Sequence, residues 1–259
     1  MDAARATSEL EGSRFARFRW VDETGSTNAD LLEEARAGAP EQVLGAEHQT
    51  AGRGRLGRSW TAPPGTSLLC SILVRPGAGV DPHLVTTALG LAAADAIEEV
   101  TGQRIGIKWP NDLVAGTSAA PDDRKLAGVL AEANVVGGVV DAVVVGIGIN
   151  VNWPEVLPEE LAGSATSLRH LVGREVDRTA LVVAMLRRLE SHLADPSGVR
   201  DAVLWRSATV GRSVRIERAG GDLVGTATGL TADGRLLVEA GGTTHEIAVG
   251  DVIHLRPTD

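Results

Sequence analysis

The stretch VLGAEHQT-AGRGRLGRSW-TAPPGT-SLLCSILV, Val43 to Val74, decides how this chain is read. Val43–Thr50 reads as a strand that enters a loop, and Ser67–Val74 is a strongly apolar strand. Between them Arg53, Arg55 and Arg58 alternate with Gly52, Gly54 and Gly57, and the run closes on Trp60. Pro63, Pro64 and Gly65 end the loop. Glycine lets backbone N–H groups approach an anion closely. Arginine presents a planar fork of donors that matches phosphate or carboxylate at two points. The indole adds a flat face on which a base can stack. The plainer reading is a solvated Arg-Gly surface loop. A Walker-type phosphate loop is excluded, because no Gly-Lys-Ser/Thr ending follows.

The bulk composition favours the anion reading. The chain has 259 residues, which suits a large domain with or without a small companion. Hydrophobic residues make up 43%, enough for a core. A net charge of −9 argues against a general nucleic-acid or anionic-membrane binder, so a basic loop here points to a small anionic ligand. Aromatic residues are only 3% of the chain, so Trp60 and Trp109, both beside unusual polar residues, stand out. The single cysteine, Cys70, lies in an apolar run and is expected in the core. One cysteine allows no disulfide framework and no cysteine zinc site within the chain. There is no signal peptide and no apolar run long enough to span a bilayer, so cytoplasm is the expected location.

Toward the N-terminus, Phe15, Phe18 and Trp20 suggest a first strand after a frayed start. The ~25 residues before Ser26 are too few for a winged-helix DNA-binding domain. Ser26, Thr27 and Asn28 precede ADLLEEARAG, a helix that Gly38 stops. These hydroxyls either cap the helix or face a ligand from its N-terminus. Toward the C-terminus, Asp81-Pro82 opens a helix that runs to Gly102. RIGIKWPNDL (Arg104–Leu113) then crowds Lys108, Trp109, Asn111 and Asp112 around a proline. Asn-Asp is ordinary turn chemistry. Lys and Asp flanking Trp-Pro at a strand end is costly unless the polar groups meet something. Gly116–Arg124 reads as a polar loop. KLAGVLAEAN and VVDAVVVGIGINV flank Gly137-Gly138 as a hairpin. Gly146 and Gly148, late in its second strand, mark close approach of backbone or ligand. Asp177–Leu193 is an amphipathic helix, and a short helix follows at 199–208. From Gly211, five short segments separated by glycine-rich turns suggest a small β-barrel. Residues 209–259 hold five arginines against seven acids, which is no nucleic-acid footprint.

Ser26-Thr27-Asn28, AEHQTAGRGRLGRSW, KWPNDL, RKLAGVLAE and GIGINV, in this order and spacing, resemble biotin protein ligases over about residues 20–152. The resemblance implies an α+β fold over residues 1–208. This is a mixed β-sheet flanked by helices, like class II aminoacyl-tRNA synthetase catalytic domains. An SH3-like β-barrel is implied over 209–259. It further implies two half-reactions: biotin and ATP give biotinyl-5′-adenylate, and a lysine of a biotin carboxyl carrier domain then takes the biotin. In that scheme Lys125 contacts carboxylate and phosphate, and Arg55 holds the intermediate, aided by Arg53 and the backbone at Gly54. Ser26, Thr27, Asn28 and Gln49 bond biotin, while Gly128 and Gly148 leave room for its bicycle. Trp60 stacks on adenine, and Lys108, Asn111 and Asn150 serve the nucleotide. Asp112 positions the attacking amine or relays its proton. Mg²⁺ is expected with ATP, its protein ligands unknown. The expected partner is the carrier domain of a biotin-dependent carboxylase, with no DNA and no membrane, and the enzyme is a monomer or homodimer. The alternatives are a lipoate ligase of the same fold and a nucleic-acid-binding protein.

Overall fold

The computed structural model describes residues 1–75, 82–116, 122–217, 221–248 and 250–254. Its centre is a seven-stranded sheet in the order β1-β2-β3-β7-β6-β5-β4. Strands β1 (Phe18–Thr24) and β2 (Gln42–Gln49) are parallel, joined by helix α2 (Thr27–Arg36). A parallel pair needs such a crossover. Every other pairing is antiparallel, so the sheet is mixed. Strand β3 (Ser67–Val74) lies between β2 and β7 (Val139–Asn150), and all eight of its residues are buried. That two-sided burial explains its unbroken apolar run. Strands β6 (Lys125–Val136) and β7 form a hairpin across Gly137 and Gly138, both at positive φ.

Period-two alternation sorts the sheet's side chains onto two faces. Leu68, Cys70, Ile72 and Val74 of β3, with Val143, Val145, Ile147 and Ile149 of β7, share one core with helices α3 (Pro82–Thr101) and α6 (Arg178–Ala194). Leu73 of β3 and Ala142 and Val144 of β7 turn the other way, onto Leu31, Leu32 and Ala35 of α2. Burial pushes the Cys70 thiol up to about 12, so it is an inert core residue.

The short strands β4 (Gly106–Lys108) and β5 (Asp112–Val114) end the sheet, separated by a turn with a cis Trp109–Pro110 bond. After helix α7 (Val199–Trp205) comes a second, wholly antiparallel sheet. It comprises β8 (Ser213–Glu217), β9 (Leu223–Leu230), β10 (Leu236–Ala240), β11 (Thr243–Ile247) and β12 (Asp251–His254), in the order β11-β10-β9-β8-β12. Its apolar face does not close on itself alone. Val214, Ile216, Leu236 and Val252 share a cluster with Leu91 of α3, Trp109, and Val199 and Val203 of α7.

The N-terminal segment departs from expectation. Helix α1 (Ala3–Glu9) forms, capped by the Asp2 side chain, and Ala6, Leu10 and Phe15 are fully buried in the main core. The low local periodicity of this segment gave no hint of these tertiary contacts. Residues 155–172 hold two short helices, α4 (Glu159–Ala162) and α5 (Leu168–Val172). Ser26 sits at the N-cap of α2 but makes no side-chain cap bond. The Asp81 cap and the middle of the Gly116–Arg124 loop lie outside the described residues. Phe15→Ala is expected to cost about 3–5 kcal/mol in urea denaturation. A frayed terminus would register almost nothing.

Candidate active site

The site begins where α2 stops covering its face of the sheet. Ala142 and Val144 meet α2, but the next residues of β7 on that face are Gly146 and Gly148. Gly148 pairs with Gly128 of β6, and Gly146 pairs with Leu130 of β6 and Ser71 of β3. Loss of side chains there leaves a cavity of about 330 Å³. A Cβ at Gly146 would collide with the Asn28 carboxamide, so this glycine admits the N-terminal turn of α2.

The inner end of the cavity is polar and neutral. The Thr27 N–H donates to Gln49 Oε1 at 2.8 Å, and the Thr27 and Ser71 hydroxyls lie 2.7 Å apart. The Ser71 hydroxyl donates to Asn28 Oδ1 at 2.6 Å. Asn28 Nδ2 donates to Leu130 O at 3.2 Å and to Glu132 Oε2 at 3.0 Å. Ser26, Thr27 and Asn28 are all buried, so this end is built by hydrogen bonds rather than by bulk solvent. Ser71 was not singled out from the sequence, and Glu132 only closes the RKLAGVLAE motif. Their roles follow from strand register, which places both beside Asn28.

The outer end is cationic. Residues 51–60 fold back as a small hairpin, in which the Gly54 N–H donates to Arg58 O at 2.7 Å and the Trp60 N–H to Gly52 O at 2.9 Å. Leu56 and Gly57 turn its tip at positive φ. Arg53 reaches Glu132 at 3.2 Å, and Arg55 donates to Asn111 Oδ1 at 3.0 Å. Asn111 in turn donates to Val129 O at 2.9 Å. Lys125 Nζ lies 2.8 Å from Asp112 Oδ1, an ion pair that lacks the alignment of a hydrogen bond. Asp112 is set there by pairing with Lys108 on one side and Gly128 on the other.

The Trp60 indole stands over the glycine floor. A Cβ at Gly148 would come 2.5 Å from its Cε2, and one at Gly128 would come 3.1 Å from its Cζ3. Lys125 Nζ is 5.4 Å from the ring centroid, a cation–π contact. Room expected above Gly128 and Gly148 is therefore filled by the indole, whose buried Nε1 has no hydrogen-bond partner among the described residues.

Ser26, Thr27, Asn28, Gln49, Arg53, Gly54, Arg55, Trp60, Lys108, Asn111, Asp112, Lys125, Gly128 and Gly148 all line this one cavity. Asn150 does not. It is buried outside the cavity lining, with Nδ2 donating to Thr166 O at 2.9 Å. Glu217, Val252 and Ile253 of the second sheet reach the cavity as well, which nothing in their sequence announced. The whole suits a ligand with a neutral polar head inside and an anionic end under the arginine hairpin. Among the described residues there is no cluster of three His, Cys, Asp or Glu side chains able to hold a metal ion.

Known proteins resemble this chain along most of its length. The model of the Biotin/lipoate A/B protein ligase family matches residues 21–150, and that of the Biotin protein ligase C terminal domain matches residues 209–255. The biotin–[acetyl-CoA-carboxylase] ligase of Mycobacterium tuberculosis is 40% identical, over 95% of this chain and 91% of that protein. The bifunctional ligase/repressor BirA of Bacillus subtilis is 33% identical, over 89% of this chain and 72% of that protein. The biotin protein ligase of Aquifex aeolicus, solved in complex with biotin and ATP, superposes with a TM-score of 0.77. It is 29% identical and covers 93% of this chain and 100% of its own.

The inner network can be tested on stability alone. Asn28→Ala and Ser71→Ala are each expected to cost about 1–3 kcal/mol. In a double-mutant cycle they should couple by about 1 kcal/mol, because each leaves the other's polar group unpaired.

Proposed function

We infer the function from a plain premise: this chain belongs to the biotin/lipoate A/B protein ligase family. Within it the chain is an ATP-dependent biotin protein ligase. The observation that carries this reading is one cavity with a neutral hydrogen-bonding head end, a glycine floor and a cationic mouth. Biotin offers a neutral ureido ring at one end and a carboxylate at the other. In the first step a biotin carboxylate oxygen attacks the α-phosphorus of ATP, and pyrophosphate leaves. In the second, a lysine nitrogen of the acceptor attacks the acyl carbon. An amide forms, AMP leaves and the amine's proton is lost.

Two anions must meet in the first step, and their repulsion has to be offset by fixed donors. Lys125, Arg55, Arg53 and the backbone at Gly54 surround the place where they would meet. Each cation is already held, by Asp112, Asn111 and Glu132 respectively. An incoming carboxylate or phosphate takes over these contacts. Transfer of Lys125 to the acyl phosphate leaves Asp112 available to the acceptor amine. That amine must be neutral, although a free lysine titrates at about 10.4. Ser26, Thr27, Asn28 and Gln49 receive the ureido head. The bicycle and the Trp60 indole compete for the same floor, so the ring shifts outward and offers its face to adenine. Lys108 and Asn111 serve the nucleotide, while Asn150 holds the segment at Thr166.

Mg²⁺ enters with the ATP phosphates, since magnesium commonly keeps its waters and binds through phosphate rather than an all-protein cage. The acceptor is read as a biotin carboxyl carrier domain, and the mycobacterial relative is named for acetyl-CoA carboxylase. The second sheet is read as an SH3-like barrel, with the division near residue 208. Biotin-dependent pyrophosphate exchange tests the assignment, and exchange with lipoate instead would replace it by lipoate ligation.

Lys125→Ala is expected to slow adenylate formation by about 3 kcal/mol or more, read in single-turnover kinetics. Arg55→Gly should release the adenylate, seen as biotin on bystander lysines of a protein that carries no acceptor motif.

A further inference from the structure

Beside the cavity, four side chains and one backbone amide make a single directed chain of hydrogen bonds. The Trp109 N–H donates to Thr209 Oγ1 at 3.1 Å. Thr209 Oγ1 lies 3.1 Å from His254 Nε2, and His254 Nδ1 lies 2.9 Å from Asp123 Oδ1. Arg212 donates to both oxygens of Asp123, at 2.7 and 3.1 Å. Thr209 is fully buried and His254 nearly so. The ionised Asp123 only accepts, so the ring proton sits on Nδ1. Nε2 then accepts, and the Thr209 hydroxyl gives it its one proton. The neutral imidazole with Nδ1–H satisfies every member of the chain.

The chain's members come from four places, one of them the segment between α7 and β8 that carries Thr209 and Arg212. Trp109 belongs to the turn between Lys108 and Asp112. Asp123 lies two residues before Lys125. His254 ends β12, next to Val252 and Ile253, which line the cavity. We propose that Thr209, His254 and Asp123 form a clasp that positions the Lys108–Asp112 corner and the approach to Lys125 by anchoring both to the second sheet. They are positioning residues, since none of the three lines the cavity. That the positioned reaction is adenylate formation rests on the function proposed above.

Proton affinity in the clasp follows its geometry. His254 is faced by Asp123 from the segment before β6, by Arg212 from the segment before β8, and by Lys108 from β4. Burial, then Lys108 and Arg212, hold the imidazole below its ordinary 6.5 despite the Asp123 hydrogen bond. Burial also works against the Asp123 charge. Arg212 and His254 outweigh it and hold that carboxyl down to about 2. The folded state therefore prefers neutral His254. Its contribution to stability is full above 6.5 and is lost as pH falls through the window below it. Protonation places a hydrogen on Nε2, facing Thr209, and the hydroxyl must turn its proton away.

The test uses the full chain, with Thr209→Val, Thr209→Ser and His254→Asn. Thr209→Val keeps the shape but offers the Trp109 N–H no acceptor. Its kcat/KM for ATP in pyrophosphate exchange should fall about tenfold, with the KM for biotin unchanged. The Trp109 amide should exchange its hydrogen about tenfold faster by NMR. Thr209→Ser, which retains the hydroxyl, should restore both. In the wild type, kcat/KM for ATP should decline as pH drops below 6.5, and His254→Asn, which keeps a donor toward Asp123 but does not titrate, should flatten that profile. The clasp is overturned if Thr209→Val leaves ATP kinetics untouched, or moves biotin and ATP parameters alike. Should Thr209→Val not fold, the paired pH profiles decide, and identical profiles refute the proposal. A wild type that exchanges no pyrophosphate with biotin sinks the ligase reading instead. Amide exchange in Thr209→Val and Thr209→Ser then judges the clasp alone.

Discussion

The site depends on a subtraction. Along one face of β7 the sequence Ala142, Val144, Gly146, Gly148 passes from side chains that pack under α2 to none at all. A sheet face without side chains ordinarily loses packing and gains nothing. Here the bare backbone serves two purposes. At Gly146 it lets Asn28 come down onto the sheet, and at Gly128 and Gly148 it makes a floor on which a flat ring can lie. A Cβ at Gly146 would collide with the Asn28 side chain and one at Gly148 with the Trp60 indole, while one at Gly128 would press on Lys125 and Trp60 at 3.1 Å.

Charge is arranged just as economically. The chain as a whole is acidic, yet the cavity mouth gathers Arg53, Arg55, Arg58 and Lys125. Concentrated cations repel one another, and Glu132, Asn111 and Asp112 hold three of them. Each of these partners sits on the main sheet or its β4–β5 end, whereas the arginines ride on a loop. The loop therefore has a defined seat, and an anionic ligand exchanges one set of acceptors for another.

The second sheet takes part in this site. Its core runs without a break into Trp109, α3 and α7, and Glu217, Val252 and Ile253 reach the cavity. A small antiparallel sheet has little core of its own. Packing against the main fold supplies the missing burial and also brings β12 beside the Lys108–Asp112 corner.

Much was legible in the linear chain, for local reasons. The apolar run of β3, the double-glycine turn of the β6–β7 hairpin, the amphipathic helix α6 and the five short C-terminal strands all follow from periodicity and turn chemistry, which act between near neighbours. The ordered motifs also announced nearly every residue that lines the cavity. What the chain alone could not decide were contacts between distant segments. Burial of Phe15, the seat of Arg53 on Glu132, the indole over Gly148, the bond of Asn150 to Thr166 outside the cavity and the reach of His254 to Asp123 each join separate segments of the chain. Such partners are chosen by strand register and by the packing of one sheet on another, and neither leaves a trace in the spacing of residues along a single segment.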